Sequence, residues 1–375
     1  MDLKLNQPIY LDYMASSKPH EEVIATYAYI ASNYYANNQS IHNMGIESSL
    51  LFEKECNNLL HSVDASKDYV VVLFDNASHA NSYFIDLLRK YHTKNIFFSG
   101  IEHSSLIRAI HSKDTLYIDE IAKDRYGNID YSRLRTWLKP IIENPKSRYA
   151  MAFSHVNNEL GTILDLGLLS KLKKYSSNII TFIDCCQSYA KLDIDMAKYD
   201  IDAITISAHK INGLKGIAAL ICKREYANYN FVHGTQNLAG LCAFNRAFDI
   251  TSNEFKQLDL NRLQLMRSEF IRTISSNKNF QISCNFDPKN SVPWCINFSV
   301  IGADAKKIII NVNELVFSTG SACNKFNASE ILTACGLNKK ELDGAMRVSF
   351  DPIKANERTL EIAAAILLKE LNNHV

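Results

Sequence analysis

From Tyr69 onward the chain alternates short β-branched or aromatic runs with segments of helical period, and this rhythm restricts the fold more than any other feature. "YVVVLF" is followed by "SYFIDLLRKYH", "NIFFS" by "SSLIRAIHS" and "YAMAFS" by "GLLSKLKKY"; "NIITFID", "IDAITIS" and "GIAALIC" complete the series. Strands alternating with helices pair in parallel, with helices covering both sheet faces. The expectation is an α/β protein with a mostly parallel central sheet, whose ligands sit at the strand ends. After about Thr251 the pattern changes to one long amphipathic helix through "EFKQLDLNRLQLMRSEFIRTI", short strands such as "CINFSV" and "AMRVSF", and a final helix from about Asn356. The chain therefore divides into a large domain over 15–250 and a smaller α+β domain built from 1–14 and 251–375.

Charge narrows the partners. The 41 basic and 40 acidic residues are interspersed, so no basic stripe exists for nucleic acid or an anionic membrane. "MDLKLNQPIYLDY" lacks a signal-peptide core, and no run approaches the ~18–20 apolar residues of a membrane span, which predicts a cytoplasmic location. Nine cysteines at spacings that match no metal site predict a reducing compartment, mostly buried thiols and no metal.

Polar clusters fall just past three predicted strands: "SHVNNELG" after "YAMAF", "DCCQS" at the end of "NIITFI" and "SAHK" at the end of "IDAITI". Parallel strands bring all three to one edge. A lysine there, Lys210, partly desolvated among cations and dipoles, can lose its proton near neutral pH and attack a carbonyl as a free amine. Asp184 reads either as a helix cap or as the partner of a protonated pyridine nitrogen, the pairing that makes pyridoxal phosphate an electron sink. Ser78, in "DNASHANS", reads as a helix N-cap. Arg347 ends a strand and carries a fork suited to a carboxylate. Cys323, in "FSTGSACNKFNAS", lies in a polar loop that could carry a thiolate to a substrate, whereas the other cysteines, including Cys185 and Cys186, read as core or strand residues.

Taken in order, "IYLDYMASSKP", "NNQSIHNMG", "IEHSS", "HVNNELG", "DCCQSYAKLDID", "YDIDAITISAHKINGLKGIAAL", "STGSACNKF" and "AMRVSF" resemble segments of the cysteine desulfurases, within the class V aminotransferase branch of the fold-type I pyridoxal-phosphate enzymes. The resemblance spans nearly the whole chain. It implies pyridoxal 5'-phosphate as cofactor and conversion of L-cysteine to L-alanine, with sulfur passing as a persulfide on Cys323 to an acceptor protein or low-molecular-weight thiol. Lys210 would carry the cofactor. Asp184 would bond its ring nitrogen and Gln187 its phenolic oxygen, with Asn158 nearby, while His103 would stack on the ring and relay protons. Ser78, Ser207 and His209 match phosphate contacts, and His79 follows Ser78. Arg347, together with Asn158, would hold the substrate carboxylate. A homodimer is implied too.

Two segments depart from the family pattern. The usual Gly-Gly-Gly-Gln-Glu-Arg-Gly-x-Arg-x-Gly-Thr stretch, whose threonine reaches the phosphate of the other subunit, is reduced to "HGTQNLAGLCAF", which places Leu241 at the threonine. Asn76 replaces the glycine expected before the phosphate hydroxyl. Other readings are a selenocysteine lyase, another class V lyase or aminotransferase, or a non-catalytic partner in a sulfur-transfer complex. Acceptors of such enzymes serve iron–sulfur assembly or nucleic-acid thiolation.

Overall fold

The computed structural model of the chain describes residues 7–91, 93–112, 117–227, 234–319 and 329–374. A short strand, β1 (Ile9–Tyr10), precedes two helices, α1 (Glu21–Asn33) and α2 (Asn43–His61). The rings of His20 and His42 cap these helices by accepting from the amides of Glu22 and Gly45. The alternating region supplies β2 (Tyr69–Phe74), β3 (Thr93–Phe98), β4 (Tyr117–Glu120), β5 (Arg148–Ser154), β6 (Ile179–Asp184), β7 (Ala203–Ser207) and β8 (Ala218–Lys223). They form one sheet in the order β2-β8-β7-β6-β5-β3-β4. Strand β8 runs antiparallel to both neighbours, and every other pairing is parallel.

The two sheet faces are covered by different helices, and the side-chain alternation of each strand decides which residues meet which layer. On β5, Ala150 and Ala152 pack with α3 (Ala77–Lys90) and α4 (Ser104–His111), beside Phe84, Leu88 and Leu106. Tyr149, Met151 and Phe153 face the opposite layer, which contains α5 (Leu134–Glu143) and α6 (Leu166–Lys173). Strands β6 and β7 are buried at every position, which is why "IITFID" and "AITIS" are nearly continuous apolar runs.

The remaining chain forms α7 (Leu238–Lys256), α8 (Leu260–Ile274), β9 (Ile282–Cys284), β10 (Cys295–Val300), α9 (Ala305–Asn311), β11 (Leu315–Val316), α10 (Glu330–Ala334), α11 (Lys339–Asp343), β12 (Ala345–Ser349) and α12 (Glu357–His374). Strands β12, β10 and β9 make an antiparallel sheet in that order, and β11 pairs in parallel with β1. The single long helix expected after Thr251 is two helices. Asp259 ends the first run and caps α8, accepting from the amides of Asn261 and Arg262. Helix α7 starts far earlier than expected and buries Leu241 and Phe244 against the large sheet's core. Leu11, Tyr13 and Met14 leave β1 to join Trp294, Phe298 and Val348 in a second core.

At the amino end of β7, Asp202 gathers a buried charge cluster. Its carboxylate accepts from Lys173 Nζ at 2.6 Å, Lys223 Nζ at 2.7 Å and the Thr181 amide at 2.7 Å. The Lys173 side chain is only 8% exposed, and Asp202→Ala removes its shorter carboxylate contact, leaving Asp200 at 3.3 Å, while the Thr181 amide loses its acceptor. The variant should lose about 1.5–3 kcal/mol of stability, read as a lower urea midpoint, while a binding site at the other edge of the sheet keeps its ligand.

Candidate active site

Because β2, β3, β5, β6 and β7 run the same way, the residues that follow them gather at one edge of the sheet. There they enclose a cavity of ≈ 280 Å³, lined by Ser78, His103, Asn158, Asp184, Gln187, Ser207, His209, Lys210 and Arg347 among others. Nine residues singled out in the sequence therefore share one wall. His79 does not join them: its ring points outward and pairs with Asp75 at 3.0 Å, with the side chain 54% exposed. Cys323 lies outside the described residues.

Lys210 closes a short 3-10 turn, Ala208–Lys210, directly after β7. The next turn is tight because Gly213 donates its amide to the Ala208 carbonyl, and a Cβ at Gly213 would lie 2.6 Å from that oxygen. An N-terminal strap holds the turn from outside. Ser17 donates both its amide and its hydroxyl to the His209 carbonyl and accepts the Asn212 amide at 2.6 Å. Tyr13 donates to Asn212 Oδ1 at 3.1 Å. The same strap meets the lysine itself, whose Nζ donates to the carbonyls of Met14 at 2.7 Å and Ala15 at 2.9 Å. Burial, then the nearby Arg347 guanidinium, pulls the amine down to about 8, and Cys186, Asp184 and Asp12 oppose that shift.

Asp184 ends β6 beside this turn, 7% exposed. Its Oδ1 accepts from the Cys186 amide at 3.0 Å and its Oδ2 from Asn81 Nδ2 at 3.1 Å. Gln187 donates to the Met14 carbonyl at 2.8 Å, while its buried Oε1 and the buried Oδ1 of Asn158 have no protein partner. Unsatisfied buried acceptors in a cavity wall await a donor from a ligand or water. Cys186, expected to be simple core, lines the cavity as well, and burial followed by the Asp184 charge pushes its thiol well up, which keeps it protonated.

On the phosphate side, Asn76 rather than Ser78 caps α3, accepting from the His79 amide at 2.9 Å. Ser78 sits in the first turn and lines the cavity with Asn76 and Ala77. A helix start has amides without intrahelical acceptors and a favourable dipole for an anion. His209 is a neutral donor or acceptor rather than an imidazolium: burial, then the charges of Lys210 and Lys215, pulls its ring down to about 4.

Arg347 projects from β12 with a side chain 1% exposed. Its Nη1 donates to the Asn158 carbonyl at 2.7 Å, and its Nη2 pairs with Asp12 at 2.7 Å. Sequence reasoning missed Asp12, although "LDY" lies inside a segment it singled out; only the fold brings positions 12 and 347 together. It also missed two buried carboxyls in the wall, Glu102 and Glu159. Burial raises both, and Ser99 and Ser329 respectively donate to them.

The placement of Leu241 is corrected by the structure. It is fully buried on α7 and cannot meet another molecule. In the same stretch, Gly234 and Thr235 lie just before the Asn237 cap of α7. Thr235 is exposed and shares a surface groove with Asp75, His79 and Gly216. The cue was available: "GTQN" places the threonine before a helix cap, whereas a leucine seven residues after the glycine falls on the apolar face.

Comparison with known proteins agrees with this architecture. The sequence model of the family Aminotransferase class-V matches residues 9–230. The cysteine desulfurase IscS of Dictyoglomus turgidum is 25% identical over 386 residues, covering 97% of this chain and 96% of that protein. A solved NifS-like protein superposes with a TM-score of 0.85 at 18% identity, over 98% of this chain and 100% of its own. The structure described as SspA in complex with cysteine superposes with a TM-score of 0.76 at 22% identity, over 92% and 99% of the two chains.

The lowered basicity of Lys210 has a direct chemical readout. Capture of an aldehyde by its free amine, trapped with borohydride and located by mass spectrometry, should climb through pH 8 and level off above it. An ordinary lysine keeps gaining reactivity up to about pH 10.4.

Proposed function

We propose, from the premise that the chain belongs to the aminotransferase class-V family, that it is a pyridoxal-phosphate-dependent cysteine desulfurase. The observation that carries this reading is the convergence of Lys210, Asp184, Gln187, His103 and Arg347 on one cavity of ≈ 280 Å³. The cavity suits the cofactor: an amine of lowered basicity, a buried carboxylate, orphaned amide oxygens and a helix start with Ser78, Ser207 and His209 close by. Bound there, pyridoxal phosphate supplies a reactive carbonyl carbon and an electron-withdrawing ring.

The protein groups then have distinct tasks. Asp184, fixed by two donors, would hold a positive ring nitrogen, and Gln187 the phenolic oxygen. Ser78, Ser207, His209 and the first amides of α3 would take the phosphate. Lys210 would anchor the cofactor and, once released, carry a proton at the substrate α-carbon, a task suited to an amine that is partly free at neutral pH. Arg347, braced by Asp12 behind it, would grip the substrate carboxylate beside Asn158. His103 would supply a proton, and Cys323 would take the sulfur. The balance closes without an outside oxidant: the carbon–sulfur bond of L-cysteine breaks, a sulfur–sulfur bond forms on Cys323, and the thiol proton ends on carbon, leaving L-alanine.

A homodimer belongs to the same reading. Exposed apolar side chains on α1 and α2, among them Ile24, Tyr29, Ile46 and Leu50, support it, and Thr235 on the surface would donate to the phosphate bound by the partner subunit. A reducing compartment such as the cytoplasm suits the eight described cysteines, which are all free thiols. No helix among the described residues is long and apolar enough to cross a membrane. The sulfur acceptor would be a partner protein or a small thiol.

The test is turnover of L-cysteine by the reconstituted protein, with alanine and sulfide measured separately under reductant. Wild type should yield both in equal amounts. Cys323→Ser should lose sulfide release yet still perturb the cofactor absorbance on adding L-cysteine, and Lys210→Ala should lose turnover altogether. Absence of alanine from the yellow wild-type protein would overturn the reading. Thr235→Val should weaken cofactor binding about tenfold or more, the loss of one hydrogen bond to a charged group, as read by equilibrium dialysis.

A further inference from the structure

Asn81 and Ser105 connect Asp184 to His103. Asn81, on the second turn of α3, is fully buried. Its Nδ2 donates to Asp184 Oδ2 at 3.1 Å and to Ser105 Oγ at 3.1 Å. Ser105 Oγ in turn lies 2.8 Å from His103 Nδ1, and the Ser105 amide donates to that same nitrogen at 3.2 Å.

The carboxylate sets the direction at one end of the chain and the Ser105 backbone N–H at the other. An ionised carboxylate only accepts, so the Asn81 amide must turn its NH2 toward Asp184, and its second hydrogen then goes to the serine oxygen. The serine hydroxyl can still donate or accept, and because the Ser105 amide makes Nδ1 an acceptor, it turns its own hydrogen to His103 Nδ1. The Ser105 backbone N–H, which can only donate, reaches the same nitrogen independently at the start of α4. A ring nitrogen that accepts two hydrogen bonds carries no proton, so a neutral His103 holds its proton on Nε2. Reversing the Asn81 amide would set its oxygen against Asp184 and lose both donor bonds. Its present Oδ1 already lacks a partner, so orientation rests on the two donor bonds alone.

We propose that Asn81 and Ser105 are positioning residues that transmit the charge of Asp184 to the imidazole and fix His103 as the Nε2–H tautomer. This deepens the reading in which Asp184 and His103 face one cofactor: the group that holds the ring nitrogen also decides which proton the histidine can offer to the cavity. Nδ1 is committed to the helix start, and Nε2–H is the proton His103 can donate.

Long-range proton–nitrogen NMR of the pyridoxal-phosphate-loaded protein, labelled with 15N-histidine, tests the relay. The His103 signals are identified by their loss in His103→Gln. Wild type should show the Nε2–H pattern. In Ser105→Ala only the 3.2 Å amide bond remains on Nδ1, and in Asn81→Ala the hydroxyl loses its donor, so the His103 nitrogen shifts should move away from the wild-type Nε2–H pattern, and kcat for L-cysteine should fall at least about tenfold with KM nearly unchanged, within the span a proton donor contributes. An Nδ1–H pattern in wild type, or wild-type His103 shifts in Ser105→Ala, would overturn the proposal. Ser105→Ala decides alone if Asn81→Ala fails to fold. A tautomer change without any L-cysteine turnover in wild type would sink the desulfurase reading and leave the relay standing; turnover with no tautomer change would sink only the relay.

Discussion

The Lys210 ammonium and the two backbone carbonyls of Met14 and Ala15 form the contact on which the rest of the site depends. A buried lysine needs acceptors, and here they come from an irregular N-terminal strap rather than from an acidic side chain. The choice has a chemical consequence. A carboxylate at that place would raise the basicity of the amine, whereas neutral carbonyls satisfy its hydrogen bonds while burial, then Arg347, holds it at about 8. The strap can serve this way because Leu11, Tyr13 and Met14 are embedded in the second core, while Ser17 and Tyr13 grip the loop that follows the lysine. Both halves of the molecule thus converge on one short segment, and residues 12 to 17 contact the lysine, its flanking turn and the arginine together.

Much of the architecture could be read from periodicity because β6 and β7 are buried on both faces and carry an unmistakable apolar signal. The polar residues placed past those strands reached the cavity for the same reason: parallel strands all end at one edge. What failed had equally physical causes. The break between α7 and α8 was hidden because apolar residues continue at helical spacing across it, and Asp259 looked like any surface acid. The ring of His79 was grouped with the phosphate site through adjacency to Ser78, but successive helical residues point about 100° apart. Leu241 was matched by counting along a shortened segment, where the burial pattern of α7 was the better guide.

Positioning residues were the least visible class. Asp12, Asn81 and Ser105 act across sequence separations of 335, 103 and 24 residues in their hydrogen bonds to Arg347, Asp184 and one another. No local pattern announces such pairs, because each residue is also an unremarkable choice for its own element. Asn81 sits on the buried face of a helix, where an asparagine is costly unless its donors are used, and that cost was the one signal available from sequence.

The neutral state of His209 carries a consequence of another kind. Its ring is held near 4 by burial and by the cations around it. On the proposed reading a phosphate group would sit beside it, and its negative charge would oppose the cations that keep the ring neutral. Loading the cofactor would then be a proton-linked event, in which the ring gains affinity for a proton. The heat of loading would depend on the ionisation enthalpy of the surrounding buffer, and the empty and filled forms would differ in net charge by an amount other than that of the cofactor itself.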